Sequence, residues 1–221
     1  MADKPTTGRN RVYPRETLEF ERVAFFSDAI FAIAMTLLVV GLDPPDIADE
    51  VSSRELWEAL DDMAPKVLMF FISFAVLGSF WLAHHRYVGR LAGIDRRATS
   101  VILVYLALIA FLPFPSAMLG EYSNNSAAVA IYATCIAVIA TLSWLMTEVA
   151  TRDGLLVRPP PPEAIVWQRI LPLVTAAYFL ATIPLAVVAP STALYSWILL
   201  FPLSVLIQRR MPASVAAYFD S

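Results

Sequence analysis

Residues 21–40 read ERVAFFSDAIFAIAMTLLVV. The segment is long and apolar enough for a membrane-spanning helix, which needs about 20 apolar residues to cross the hydrocarbon core. Three polar side chains, Arg22, Ser27 and Asp28, nevertheless enter it, and Thr36 interrupts its second half. A charged side chain at the centre of a bilayer costs about 2.5–3.5 kcal/mol on insertion scales and generally serves a function. The segment therefore predicts a helix that does more than anchor the protein.

Six apolar segments of similar length recur along the 221-residue chain, which is 58% hydrophobic and only 16% charged. The pattern predicts an all-α integral membrane protein with six transmembrane helices in residues 21–210, between an N-terminal segment 1–20 and a C-terminal tail 211–221. The predicted spans are residues 22–42, 63–84, 99–119, 127–149, 167–189 and 191–208. Only Pro190 separates the last two spans. They could therefore instead form a single bent hairpin that crosses the membrane imperfectly.

The basic residues are distributed unevenly among the loops. Of the 16 lysines and arginines, only Arg54 and Lys66 lie beside the loop between the first two spans, and the rest fall on the other side. Loops rich in Lys and Arg remain in the cytoplasm. We therefore expect both termini to be cytoplasmic. Without an organelle signal in the sequence, the expected location is a prokaryotic plasma membrane.

The loop at residues 43–62 is acidic and has two compatible interpretations. Leu56, Trp57 and Leu60 recur at helical spacing and predict a solvated amphipathic surface helix. The clustered carboxylates can also concentrate cations above a pore. The acidic residues are Asp43, Asp46, Asp49, Glu50, Glu55, Glu58, Asp61 and Asp62.

Helical geometry separates residues 21–40 into distinct faces. Ile33, Thr36, Leu37 and Val40 form one narrow stripe, whereas Asp28 points about 140° away from Ile33 at 100° per residue. The stripe can line a pore. Alternatively, its apolar members face lipid or the protein core, and the Thr36 hydroxyl bonds the carbonyl four residues earlier. Periodicity alone leaves both interpretations open.

The end of the second span supplies partners for the polar face of the first. Trp81 and His84 are three residues apart and share one helical face. We expect a buried polar network that satisfies the intramembrane charge. Its expected members are Arg22, Ser27, Asp28, Trp81 and His84. The alternative is that Arg22 snorkels to the interface and that Trp81 belongs to an aromatic belt.

Two motifs resemble the transmembrane-protein-175 family of potassium channels. They are RxxxFSD at residues 22–28 and WxxH at residues 81–84. The sequence FLPF at residues 111–114 is similar to the family's exit from its third span. The resemblance covers residues 20–120 by motif and the remainder by span count. Where family members often carry an asparagine in the third span, this chain offers only Tyr105 as a polar group.

The resemblance implies a potassium-selective, leak-type channel without a TVGYG filter loop, a sequence that this chain also lacks. It implies that the first helix lines the pore, with an apolar constriction at Ile33, a selectivity-determining hydroxyl at Thr36 and a further ring at Val40. Leu37, on the same stripe, completes the expected constriction. A single-repeat chain is expected to form a four-fold homotetramer. The expected partners are potassium ions, membrane lipid and copies of the chain, without nucleic acid, cofactor or metal.

The alternative function is a secondary transporter in which Asp28 and His84 relay protons. The chain shows neither an internal repeat nor paired broken helices of the kind that alternating access uses. An enzyme is not expected, because the sequence carries no nucleophile elbow, metal cluster or phosphate-binding loop.

Overall fold

The computed structural model describes residues 11–45 and 52–220. Part of the sidedness and acidic-loop predictions rests on Lys4, Arg9, Asp46, Asp49 and Glu50, which lie outside the described residues. In chain order the elements are β1 (Tyr13–Pro14), α1 (Leu18–Val40), α2 (Ser53–Asp62), α3 (Ala64–Gly89), β2 (Gly93–Ile94), α4 (Arg96–Phe111), α5 (Pro113–Glu121), α6 (Ser126–Arg152), α7 (Pro162–Val188), α8 (Pro190–Ser196), a 3-10 turn (Trp197–Leu199), α9 (Leu200–Arg209) and α10 (Ala213–Asp220).

Six helical segments within the described ranges are long and apolar enough to cross a membrane. Four are single helices (α1, α3, α6 and α7), while α4 and α5 together form the third segment and α8 with α9 the sixth. The predicted all-α fold with six transmembrane helices is therefore confirmed. Ala189 separates α7 from α8, because its backbone (φ −145°, ψ 76°) breaks the helix before Pro190. The last two spans are thus distinct helices.

Local sequence signals explain where several helices begin. Asp95 caps α4, since its Oδ1 accepts a hydrogen bond of 2.7 Å from the backbone N–H of Ala98. Asn125 caps α6 in the same way. Proline occupies the first turn of α3, α5, α7 and α8, where its missing N–H removes no helical hydrogen bond.

The acidic loop contains α2, a short helix without any buried residue. Ser52 and Glu55 form a capping box at its start, with the Ser52 backbone N–H donating to Glu55 Oε2 at 2.8 Å. Hydrogen bonds from the backbone and then the hydroxyl of Ser52 lower the pKa of Glu55 below its ordinary value. A depressed carboxyl pKa means that the cap is intact at neutral pH and is lost as the pH falls through that lowered value.

The fourth span, α6, is the most enclosed of the six and forms the centre of the bundle. It packs against α7, α4 and α5, and Tyr132 and Ile136 on it are fully buried. In contrast, α1 packs only one face against α3, α4 and α5, with Phe31, Ala34 and Leu38 buried there. The first helix therefore lies at the edge of the protomer.

A buried chain of hydrogen bonds connects the central spans. The Ser116 hydroxyl donates to Ser73 Oγ at 2.7 Å, and Ser73 Oγ lies 3.1 Å from the Tyr132 hydroxyl. Tyr132 stacks on Trp197, whose indole N–H donates to Thr182 Oγ1 at 3.1 Å. Because these groups satisfy one another away from water, they fix the relative positions of α3, α5, α6 and α7.

A short antiparallel sheet ties the residues before α1 to the loop after α3. In this sheet β1 pairs with β2, so that Tyr13 lies opposite Ile94. A Cβ atom at Gly93 would lie 2.7 Å from the carbonyl oxygen of Tyr13. Only glycine therefore permits this close approach of the two strands.

The segment predicted as a C-terminal tail contains the helix α10, which packs against α7. The Tyr218 hydroxyl donates to the carbonyl oxygen of Arg158, in the loop between α6 and α7, at 3.2 Å. Both described chain ends and the loops after α3 and α6 consequently lie at one end of the bundle, the terminal end. The prediction that this end is cytoplasmic stays a prediction.

Candidate functional site

The stripe predicted on α1 lies on the face that the rest of the protomer leaves uncovered. Ile33 is 54% exposed, Leu37 44% and Val40 68%, and Thr36 is also exposed. The apolar residues on the opposite face of the helix pack into the bundle. The stripe is thus free to contact a pore, lipid or another copy of the chain.

Thr36 uses its proton within its own helix. Its hydroxyl donates to the carbonyl oxygen of Ile33, three residues earlier, at 2.8 Å. The alternative interpretation of the stripe placed this bond on the carbonyl oxygen four residues earlier, whereas the observed acceptor lies three residues earlier. A hydroxyl has one proton and two acceptor lone pairs. Because the proton is engaged, the Thr36 oxygen can only accept on the exposed face. A cation is coordinated by such oxygen lone pairs.

Asp28 and Trp81 are brought together across two helices. The indole N–H of Trp81 on α3 donates to Asp28 Oδ1 on α1 at 3.0 Å. An indole nitrogen can only donate and an ionised carboxylate can only accept, so the two groups are matched. In the isolated protomer Asp28 is exposed and Trp81 is half-buried. This hydrogen bond ties the first span to the second.

Two further members of the expected network lie elsewhere. Ser27 is buried, and its hydroxyl donates to the carbonyl oxygen of Val23 in the same helix at 2.8 Å. Arg22 is exposed, and its side chain makes no hydrogen bond or ion pair to the described part of the protomer. Neither residue reaches Asp28 within one protomer.

His84 faces an aromatic cluster instead of Asp28. Its ring stacks on Tyr105, with centroids 5.6 Å apart and planes inclined by 17°, and lies 5.7 Å from the ring of Phe31. Among the described residues, neither its two buried nitrogens nor the buried Tyr105 hydroxyl has a hydrogen-bond partner. The expected hydrogen bond from His84 is thus not formed. His84 follows Trp81 by three positions on α3, so the directions of the two side chains differ by about 60°, and that of His84 points toward α4.

An ion-pair cluster that the sequence pattern did not predict joins α6 to α7. Glu148 is 5% exposed; its carboxylate accepts from Arg152 Nε at 2.7 Å and from two nitrogens of Arg169, Nε and Nη2, at 3.0 and 2.9 Å. The signal available in the sequence was a glutamate inside an apolar helix, four residues before an arginine. Charge-assisted, bidentate contacts of this kind hold two helices in one geometry.

Trp81→Phe should reduce the stability of the folded protein by about 1.5–3 kcal/mol, the range for hydrogen bonds to charged groups. The substitution keeps an aromatic ring and removes the indole donor to Asp28. Asp28→Ala should lower thermal stability as well, because it removes the other partner. The double variant should lose little more than either single variant, because both remove the same interaction. Thermal unfolding of the purified protein measures all three.

Trp144→Phe is the matched control, since the buried indole nitrogen of Trp144 has no hydrogen-bond partner in residues 11–45 and 52–220. It should leave stability unchanged or slightly raised. Equal losses in Trp81→Phe and Trp144→Phe would show that ring size, and not the bond to Asp28, determines the effect.

Comparison with known proteins identifies the family of this chain. The sequence model described as "Endosomal/lysosomal potassium channel TMEM175" matches residues 22–113. A potassium channel of Streptomyces collinus is 34% identical over 145 residues, which cover 64% of this chain and 69% of that protein. A potassium channel of Chamaesiphon minutus is 35% identical over 145 residues, which cover 64% of this chain and 71% of that protein. The chain belongs to the TMEM175 family.

A solved TMEM175 structure shares the fold. It is the crystal structure of a lysosomal potassium-selective channel TMEM175 homolog from Chamaesiphon minutus. The superposition includes 89% of this chain and 100% of the homolog, with a TM-score of 0.72 and 26% sequence identity. The family membership predicted from the sequence is therefore confirmed. Within the described residues of this chain, no three His, Cys, Asp or Glu side chains are grouped to hold a metal ion.

Proposed function

We propose that this chain is the subunit of a potassium-selective, leak-type channel whose pore is lined by α1. The TMEM175 relatives from Streptomyces collinus and Chamaesiphon minutus are named potassium channels, and channels are not enzymes. The observation that carries the finer proposal is the exposure of the stripe on α1 while the opposite face of the helix is packed. Four copies around an axis beside this stripe turn each of its residues into a ring.

The apolar members of the stripe form the constriction. A ring of Ile33 side chains in a narrow pore excludes water and so blocks ions, and a small displacement of α1 wets it. Leu37 and Val40 continue this apolar lining along the same face. Such a gate needs no additional segment to block the pore, because ions pass only when the apolar constriction is filled with water.

Thr36 provides the selective point. Thr36 follows Ile33 by three residues, about 4.5 Å farther along the axis at 1.5 Å per residue. With the proton donated to the Ile33 carbonyl, four oxygens face a cation that has just lost part of its hydration. Potassium releases water more easily than sodium, so the ring favours potassium moderately.

Asp28 supports the pore helix from behind. Its carboxylate is held by Trp81 on α3 and points away from the stripe by helical geometry. It therefore positions α1 and does not coordinate the ion. Under this proposal the arginine-rich terminal end lies in the cytoplasm of a prokaryotic plasma membrane, since basic residues favour that side.

The transporter hypothesis has less support. It requires proton exchange between Asp28 and His84, yet Asp28 is bonded to Trp81 and the His84 nitrogens have no hydrogen-bond partner within the described residues. The relatives named potassium channels do not favour it either. Coupled flux against a gradient would distinguish a transporter from the proposed channel.

Potassium flux into liposomes tests the proposal, with sodium as the competing ion. Thr36→Val removes the hydroxyl at nearly constant volume and should lower the potassium preference about fivefold, the change that corresponds to about 1 kcal/mol. Thr36→Ser is the matched control and should retain the preference. Unchanged selectivity in assembled Thr36→Val protein would remove Thr36 from its role. Absence of flux from folded wild-type tetramer would contradict the channel itself.

A further inference from the structure

The terminal end of the bundle is closed by a continuous set of contacts that begins directly before α1. The backbone N–H of Arg15 donates to the carbonyl oxygen of Ala92 at 2.9 Å, and the Arg15 guanidinium donates to that of Gly89 at 2.6 Å. The N–H of Ala92 in turn donates to the carbonyl oxygen of Leu155 at 2.8 Å. The start of the pore-lining helix is thus tied to the α3–α4 loop, and that loop to the α6–α7 loop.

Arg90 lies at the junction of these loops and is covered by α10. Its guanidinium carbon is 5.0 Å from the ring centroid of Phe219 and 5.9 Å from that of Tyr218. Its carbonyl oxygen accepts from the N–H of Val157 at 3.0 Å. No carboxylate in the described residues forms an ion pair with Arg90. Its Nε also donates to the carbonyl oxygen of Arg86 at 3.3 Å. For this half-buried cation, two aromatic faces therefore take the place of a counter-ion.

The C-terminal helix is itself anchored at this position. Val215 on α10 is buried, and the Tyr218 hydroxyl reaches the carbonyl oxygen of Arg158. Withdrawal of α10 would remove the aromatic cover of Arg90 and let its guanidinium turn toward water, which loosens the loop that carries Gly89 and Ala92. Those two carbonyl groups are the ones that hold Arg15.

We propose that α10 is a latch: Phe219 and Tyr218 clamp Arg90, a positioning residue that restrains the beginning of α1, and release of the latch increases ion flux without changing selectivity. This inference rests on the proposed function of α1 as the pore helix. The restraint is effective because α1 packs only one face within the protomer. A helix freed at its first turn tilts more, and the apolar ring at Ile33 wets more often. Ile33 and Thr36 share one rigid helix, so their spacing and the potassium preference are unaffected.

The decisive variant is Phe219→Leu, which keeps apolar bulk and removes the ring, with Phe219→Tyr as the matched control that keeps it. Amide hydrogen exchange of residues 12–17 and potassium flux in liposomes are measured on the full-length protein. Phe219→Leu should raise both about fivefold, the population change that accompanies loss of one cation–π contact. The ratio of potassium to sodium flux should stay constant, and Phe219→Tyr should behave as wild type.

Gly93→Val breaks the same set of contacts without touching α10, because any Cβ there collides with Tyr13. It must reproduce faster exchange and higher flux at constant selectivity, and it decides the matter where Phe219→Leu does not fold. Unchanged exchange at residues 12–17 in Phe219→Leu would overturn the latch. Faster exchange with unchanged or lower flux, or with altered selectivity, would overturn it as well. Absence of flux from the wild-type protein would instead contradict the proposed function, while exchange would still decide whether α10 is coupled to α1.

Discussion

Ile33→Asn should raise potassium leak about tenfold, which corresponds to a barrier lower by about 1.4 kcal/mol. Ile33 is 54% exposed on the face of α1 that we assign to the pore. A ring of isoleucine side chains repels water, whereas the asparagine amide both donates and accepts hydrogen bonds and retains water in the narrow segment. The measurement is flux of potassium from liposomes that contain equal amounts of assembled protein.

Val39→Asn is the matched control for this variant. Val39 is on the same helix and 52% exposed, yet it lies about 120° from Ile33 at 100° per residue, outside the stripe. It introduces the same polar group on the same helix, about 9 Å farther along the axis, and should leave leak unchanged. Increased leak in Val39→Asn alone would place the pore on a different face of α1. Lower current from normally assembled Ile33→Asn protein would contradict the apolar gate.

Glu148→Gln should destabilise the protomer by about 3 kcal/mol, the lower end of the range for removing one partner of a buried ion pair. The lower end is expected because the side chains of Arg152 and Arg169 are 69% and 44% exposed and are partly solvated when unpaired. The glutamine keeps the size of the side chain and leaves two like charges beside each other at the α6–α7 contact. The measurement is the free energy of unfolding in mixed micelles.

Glu163→Gln is the corresponding control, because Glu163 lies exposed in the first turn of α7. It should change stability by less than about 0.5 kcal/mol, as surface substitutions generally do. The double variant Glu148→Gln with Arg169→Gln should recover part of the loss, since it removes an unpaired guanidinium together with the carboxylate. A loss in Glu148→Gln no larger than that in Glu163→Gln would show that the cluster does not hold the two helices together.

The spans were predictable because a segment of about twenty apolar residues is unstable in water and has to be placed in a bilayer or in a protein core. The pairing of Asp28 with a residue near the end of the second span was also accessible, because a carboxylate in an apolar helix requires a donor and Trp81 offers one. Helical periodicity predicted which residues of α1 share the stripe, but not that the stripe is exposed. What periodicity does not distinguish is a pore from lipid, since both accept an apolar face.

Other features depend on orientations and distant contacts that a linear pattern does not contain. His84 was expected beside Asp28 because it shares a face with Trp81, but a 60° rotation was enough to bring it onto Tyr105. Ser73 and Ser116 lie in different apolar spans, and nothing in their spacing indicates that they bond each other. The segment after Pro212 is short and its sequence predicts a tail, whereas in the structure Phe219 lies over Arg90.

The pairing of β1 with β2 also sets an order of events during synthesis. Tyr13 precedes the first span, whereas its partner Ile94 follows the second. As the chain emerges from the ribosome, α1 enters the membrane before the strand that anchors it has been translated. The first helix therefore has no fixed rotation about its axis until β2 appears. Substitutions at Gly93, which prevent this pairing, should consequently increase the fraction of newly made chains with a misoriented first helix.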